Sequence, residues 1–341
     1  MDEENTVSNT ELSAALIAVG LTPPRMRVEL TQAIVQGEFR REVLAAIPAE
    51  LLRRGHQYLS ESKRLGFSII PYTSLEYPAQ LRVIDLPPLV LFVKNKSGHF
   101  TFPKKILGVV GARAASVETC YVTSRIAHRL ADCGFSIASG LALGVDAAAH
   151  RGALEASGPC PTFAVVAHGL DLLYPPSHRA LSEIIVAQGG AILSEYPPGI
   201  AAHKHHFLER NRIIAGLSQG VVVIAAGERS GSLVTARCAA DYGRDVFVLQ
   251  GDEHDPRERG AQRLLEDGAI PISGADEVLA EYGLAIPAQE GREATGRPGW
   301  MTVSMAECRA RLGLSEAEIL RMELAGRVVR LPGNRVSVQV D

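Results

Sequence analysis

The stretch His203-Lys204-His205-His206-Phe207-Leu208-Glu209-Arg210-Asn211-Arg212 holds the chain's densest set of residues that could do chemistry. Its cations can pair with phosphates, its phenylalanine can stack on an unpaired base, and Ile213, Ile214 and Leu217 follow to bury a helix. Cations interleaved with an aromatic suit a single strand, because charge follows the backbone while a ring meets a base. The same residues also suit a solvated helix start with Phe207 packed inward.

Three loops add to this segment: Gly111–Ser116, Ser139–Asp146 and Gly227–Thr235. Each follows a short β-branched run and opens a helical segment, the place where unpaired backbone N–H groups face outward and bind anions. Three such loops on one sheet edge could cradle several phosphates. Ser139, Ser194 and Ser232 sit where a serine caps a helix or binds phosphate, not where a nucleophile would stand.

Other chemistries fit poorly. No Gly-x-Gly-x-x-Gly follows the first strand, and the second ends in Ser139-Gly140 where a dinucleotide site would place an acid. No Gly-x-x-x-x-Gly-Lys-[Ser/Thr] occurs, and Gly227–Ser232 offers no lysine to terminal phosphates. The Gly216-Leu217-Ser218-Gln219-Gly220 match ends a helix and precedes a strand, the reverse of a nucleophile elbow. His203, His205 and His206 lack the i, i+4 spacing of a metal pair. Asp146 and His150 share one helix face, an arrangement read as a cap and a structural hydrogen bond in preference to acid–base catalysis. The expectation is a protein with no cofactor, no metal and no enzymatic activity.

The elements that must position these residues can be read from periodicity. The runs Ile106–Val110, Phe135–Ala138, Thr162–Ala167, Ala191–Leu193, Val221–Ala225 and Asp245–Leu249 alternate with helical segments. That pattern predicts an α/β domain over residues 66–285 built on a doubly wound parallel sheet, Rossmann-like and extended. Helical spacing before it predicts a small helical domain over 1–65. Residues 286–299 lack apolar periodicity and read as a linker. In 300–341, two short helices around Gly313 and a hairpin, Arg327–Leu331 with Arg335–Val340, make a winged-helix-like module. Its second helix, Ser315–Leu324, carries Glu316, Glu318 and Glu323 against Arg321, which favours protein contact or packing over duplex reading.

Bulk properties exclude little more. The net charge is −3, so nucleic acid would have to be held by a local basic patch and not by the overall field. The five cysteines form no Cys-x-x-Cys pair and read as small buried residues. The acidic start and the lack of a long apolar stretch predict a cytoplasmic protein with no membrane partner.

Taken in order, the motifs resemble the DNA-processing A family (DprA/Smf). They are Val110–Ser116, Ser139–Asp146 with Ala149-His150, Tyr174-Pro175, Ser194–Pro197, Phe207 with Arg210–Ser218, Ser230–Ala236 and Gly268-Ala269. The likeness is strong from about Tyr77 to Val278 and architectural elsewhere. It implies single-stranded DNA binding, protection of incoming strands, loading of RecA during natural transformation, and a homodimer. Carried onto this sequence, it implies a pocket of Arg113, Lys204, Phe207, Arg210 and Arg212, with Ser116, Gly140, Ser230 and Ser232 as loop donors and Asn211 and Gly231 beside them. The chain departs from the family pattern at Ala112, Ala225, Gln250 and Ala261-Gln262, which removes a hydroxyl and alters a turn but removes no cation. The competing expectation is a Rossmann-like enzyme acting on a nucleotide or nucleotide sugar, with Asp146 or Glu195 as its acid.

Overall fold

Continuous apolar runs, buried on both faces, form the middle of a nine-stranded sheet. The computed structural model describes residues 9–36, 46–158, 161–251, 255, 258–284, 300–304, 319, 322, 328–331 and 335–339. Among the described residues three helices come first, α1 (Asn9–Gly20), α2 (Pro24–Val35) and α3 (Ala49–Arg64). Strands β1 (Ser68–Pro71) and β2 (Val90–Asn95) flank the one-turn helix α4 (Ala79–Arg82). Strand and helix then alternate: β3 (Ile106–Gly111), α5 (Val117–Asp132), β4 (Ser136–Ser139), α6 (Val145–Leu154), β5 (Thr162–Val166), α7 (Arg179–Ala187) and β6 (Ala191–Ser194). The series continues with α8 (Lys204–Leu217), β7 (Gly220–Ile224), α9 (Gly231–Asp241), β8 (Asp245–Leu249), α10 (Arg259–Glu266), β9 (Ile270–Ile272) and α11 (Ala275–Glu281).

In space the strands lie in the order β1-β2-β6-β5-β4-β3-β7-β8-β9. From β6 to β9 every neighbouring pair is parallel, while β2 is antiparallel to both β1 and β6. The chain works outward from β3 to β6, then returns to lay β7 on the other side of β3. This reversal is the switch point of a doubly wound sheet, and it opens a crevice between the loops that leave β3 and β7.

One face of the sheet packs Val110, Val221 and Val223 against Ile213, Ile214 and Leu217 of α8 and Leu233 and Ala236 of α9. The other packs Leu107, Val109 and Ile224 against α5, α6 and α11 through Ile126, Leu130, Val145 and Val278. Apolar residues of α1 and α3, among them Leu16 and Leu59, share a core with Phe92 of β2 and Val166 of β5. The front helices are therefore seated on the sheet, and an ion pair of 3.2 Å between Arg27 and Glu209 ties α2 to α8.

The six expected strands are all present, with no end shifted by more than one residue. Strands β1, β2 and β9 were not foreseen. The first and last are short and contain Pro71 and Pro271, and β2 is antiparallel with no loop-and-helix unit after it. In the tail, β11 (Val328–Leu331) and β12 (Arg335–Gln339) form the expected hairpin, and an unforeseen strand β10 (Trp300–Ser304) pairs with β12. The linker and the tail's first expected helix lie outside the described residues, and of the second only Ile319 and Met322 are described, both helical. Among the described residues, no helix is long and apolar enough to cross a membrane.

Candidate nucleic-acid interface

At the switch point lies an open cleft of about 1090 Å³, floored by Val110, Gly111 and Ile214 and walled by the loops after β3 and β7 and the first turns of α8. Arg113 enters from the first loop, Lys204 and Phe207 from α8, and Arg229, Ser230, Gly231 and Ser232 from the third loop. Arg113, Lys204 and Arg229 are exposed. Each loop exists because its strand ends against a helix start. Ser230 caps α9, its hydroxyl accepting from the Ser232 N–H at 3.3 Å. Asn211 donates to the Gly231 carbonyl at 3.0 Å and locks this loop to α8. Gly144 turns the second loop into α6 at φ 73°, which a side chain would strain, and a Cβ there would lie 2.3 Å from the Ala112 carbonyl oxygen.

The centre of the cleft is an aromatic and cationic stack. The Arg113 guanidinium lies 4.9 Å from the centre of the Phe207 ring. The Tyr174 ring sits 5.6 Å from Phe207, tilted by 55°.

Behind the stack, Arg210 is almost fully buried and donates to the Val165 carbonyl at 3.0 Å. Burial, together with the Arg113 charge, brings its pKa down to about 10, against the attraction of Asp146, so the guanidinium stays charged at neutral pH. Asp146 is buried too, and its Oδ2 accepts from the N–H groups of Gly140 at 3.0 Å and Ala142 at 3.3 Å. Burial raises the pKa of Asp146, opposed by Arg210 and these two N–H donors. Asp146 thus fastens the second loop. His150 does not pair with it, and its Nδ1 instead meets the Thr162 hydroxyl at 2.7 Å.

Several residues expected at the site stand elsewhere. Arg212 points away from the cleft, into a half-buried 2.6 Å ion pair with Glu195 on the side facing the front helices. Burial opposes its charge, but Glu195 outweighs this and holds the Arg212 pKa above the ordinary arginine value. Ser116 caps α5, accepting from the Thr119 N–H at 3.1 Å, and is outside the cleft lining. Gly140 is buried behind Arg210, and its N–H is already bound to Asp146. Arg210 lines the floor as a buried strut, in place of the exposed phosphate contact expected of it.

Arg229 and Tyr174 were missed. The sequence signal for Arg229 was its place in a loop after a central strand, and for Tyr174 its place just before Pro175. Of the departures, Ala112 lines the cleft, and Ala225 adopts φ 53° at the end of β7. Gln250, Ala261 and Gln262 instead line a separate pocket of about 560 Å³.

The family model described as DNA recombination-mediator protein A matches residues 68–283, the whole nine-stranded unit. The chain belongs to the DNA recombination-mediator protein A family. Among relatives of this DprA/Smf group, Protein Smf of Synechocystis is 38% identical over 71% of this chain, which spans 61% of that protein's length. The X-ray structure of DNA processing protein A (DprA) from Streptococcus pneumoniae superposes with a TM-score of 0.67 at 32% identity, covering 81% of this chain and 98% of that one. DNA processing protein A from Helicobacter pylori, described for its unique single-stranded DNA binding mode, gives a TM-score of 0.55 at 28% identity over 63% of this chain and 96% of that one. The family match thus spans the cleft and every loop that builds it.

Proposed function

We propose that this protein binds single-stranded DNA in the switch-point cleft, protects incoming strands and loads RecA onto them during natural transformation, acting in the cytoplasm as a homodimer and without catalysis. The observation that carries the strand-binding part is the convergence of three exposed cations, Arg113, Lys204 and Arg229, around an aromatic pair in one open cleft. Phosphates placed against these cations release counterions, and bases between them meet rings. The Helicobacter pylori relative, described for its single-stranded DNA binding, supports the choice of ligand. Strand protection, the RecA partnership, the transformation setting and the homodimer rest on family membership.

The enzymatic alternative loses its acids. Asp146 is committed to two backbone N–H groups beside buried Arg210, and Glu195 is committed to Arg212 away from the cleft. Glu195 lies outside the cleft, and Asp146, which lines it, is held by two loop N–H groups, which supports a positioning role over proton transfer.

The test is a fluorescence-anisotropy titration of labelled single-stranded and duplex oligonucleotides across a salt series, on the wild type and on Arg113→Ala/Lys204→Ala. Salt-sensitive preference for the single strand, lost in the double variant, is the expected result. Equal affinity for duplex, or unchanged binding by the variant, would overturn the strand-binding reading. Stimulated RecA filament formation on the bound strand is the matching expectation for loading, and no stimulation would overturn that part.

A further inference from the structure

The edge of the sheet opposite the cleft carries a second open groove, of about 1000 Å³. It lies where β2 runs out at Asn95 and where β3, β4 and β6 begin, so the length of the strands separates it from the cleft. Its apolar wall is built before any ligand arrives. Phe100 and Phe102 pack edge to face at 5.1 Å, and Phe100 reaches Phe163 in the core at 6.2 Å. Asn95 donates to the His99 carbonyl at 2.6 Å, and the Ser136 N–H donates to the Lys105 carbonyl at 2.8 Å, which ties down both ends of the segment 95–105. Phe102 and Pro103 are partly exposed in the groove. Helices α5 and α7 end at this edge in turns through Gly134 and Gly189, at φ 88° and 87°. A Cβ on Gly134 would meet nothing within 4 Å, so bare backbone faces open space there.

The rim is cationic. Lys96, Lys104 and Lys105 line the groove and are exposed, and no aspartate or glutamate lines it. Among the described residues none of these lysines forms an ion pair, and Lys105 lies 5.7 Å from the centre of the Phe135 ring. An acid does stand at the margin, Glu76, 3.6 Å from the exposed His99. The three lysines are therefore unanswered locally, in a chain whose net charge is −3.

We infer that this groove docks a short acidic segment of a partner protein, with an apolar side chain seated against Phe102 and Pro103 and carboxylates at Lys96, Lys104 and Lys105. Charge complementarity selects the partner, and the preformed apolar wall gives it an anchor. Nucleic acid fits this edge less well. The ends of α5 and α7 turn the negative poles of their dipoles toward it, whereas the cleft is faced by the starts of α8 and α9. A nucleic-acid backbone would also carry charge along the whole apolar wall, while a peptide can place its few carboxylates at the rim and bury the rest. Because groove and cleft lie on opposite edges, a partner held here leaves the cleft open to its strand.

The experiment selects a displayed random-peptide library on the full chain and titrates the recovered peptides by fluorescence anisotropy. Recovered sequences should combine two or more acids with an aromatic or large aliphatic residue. Lys96→Glu/Lys104→Glu changes two exposed positions and should unfold at the wild-type temperature. It should weaken these peptides about tenfold or more, through lost and reversed ion pairs. The same variant should bind a single-stranded oligonucleotide within about twofold of wild type, and saturating oligonucleotide should leave the peptide bound. No enrichment of acidic sequences, or peptides that bind the variant as tightly as wild type, would overturn the inference. Displacement by the oligonucleotide would place the peptides in the cleft, and equal weakening of the oligonucleotide by the variant would assign the groove to nucleic acid. Either result also overturns it. A wild type that binds the peptides but no oligonucleotide would remove only the strand-binding reading.

Discussion

Gly140 and Arg210 approach so closely that a Cβ on Gly140 would lie 1.7 Å from Arg210 Nη1. The glycine just after β4 is therefore required by a side chain from α8, two strands later in the chain. Arg210 has no room to retreat, being buried and bound to the Val165 carbonyl with Asp146 beside it. Gly140→Ala should lower stability by about 1–3 kcal/mol, the ordinary cost of overfilling a packed site. The check is a urea titration, in which the midpoint falls while the slope with denaturant is unchanged.

Arg113 and Lys204 are exposed in the cleft, and Arg212 is paired outside it. Arg113→Ala and Lys204→Ala should each reduce the slope of log affinity against log salt by about 0.7, one single-strand phosphate contact apiece. Arg212→Ala should leave that slope unaltered. An Arg212→Ala slope change matching the other two would place its side chain on the DNA after all.

What Arg212→Ala should change is stability. It leaves Glu195 half-buried without its 2.6 Å partner, a loss of about 3–5 kcal/mol where such pairs are broken from one side. Removing both charges with Glu195→Leu/Arg212→Met should recover most of it, because the unpaired carboxylate is then gone. Thermal unfolding of the three proteins measures this directly.

Ser116→Ala removes the cap of α5 and should cost about 1 kcal/mol of stability with no loss of strand affinity, since Ser116 does not line the cleft. Ser230→Ala removes the cap of α9 inside the cleft and should lower both. Paired unfolding and binding measurements on the two variants separate capping from contact.

His150 supplies a pH dependence. Its Nδ1 donates to the Thr162 hydroxyl, which in turn donates to the Ile137 carbonyl, and a proton on Nε2 would be buried without an acceptor. Burial brings its pKa from 6.5 down to about 3. In that interval the unfolded chain binds a proton that the folded chain refuses, so stability falls as pH drops from about 6.5 toward 3, by up to about 1.4 kcal/mol per pH unit. His150→Gln should flatten this part of the profile relative to wild type. An unchanged slope would show that other groups set it.

The central strands were legible because they are buried on both faces by helices, which forces an uninterrupted apolar run such as Ile106–Val110. The loops after them were legible as well, since a parallel sheet puts its loop-to-helix turns on one edge whatever the details of packing. The strand β2 was not, because its place between Ser68–Pro71 and Ala191–Ser194 is set by antiparallel pairing that no local pattern announces.

By itself the sequence determined the fold class, the edge on which a ligand would gather, and the two segments, Gly111–Ser116 and Lys204–Arg212, that would supply cations. Only the tertiary structure decided which of those cations meet solvent. Arg210 and Arg212 are two residues apart on α8, so they point to different sides of the helix, one into the floor behind the cleft and the other toward Glu195. Likewise, Tyr174 and Phe207 are far apart in the chain, and their contact exists only because the loop after β5 and the start of α8 meet over the same sheet edge.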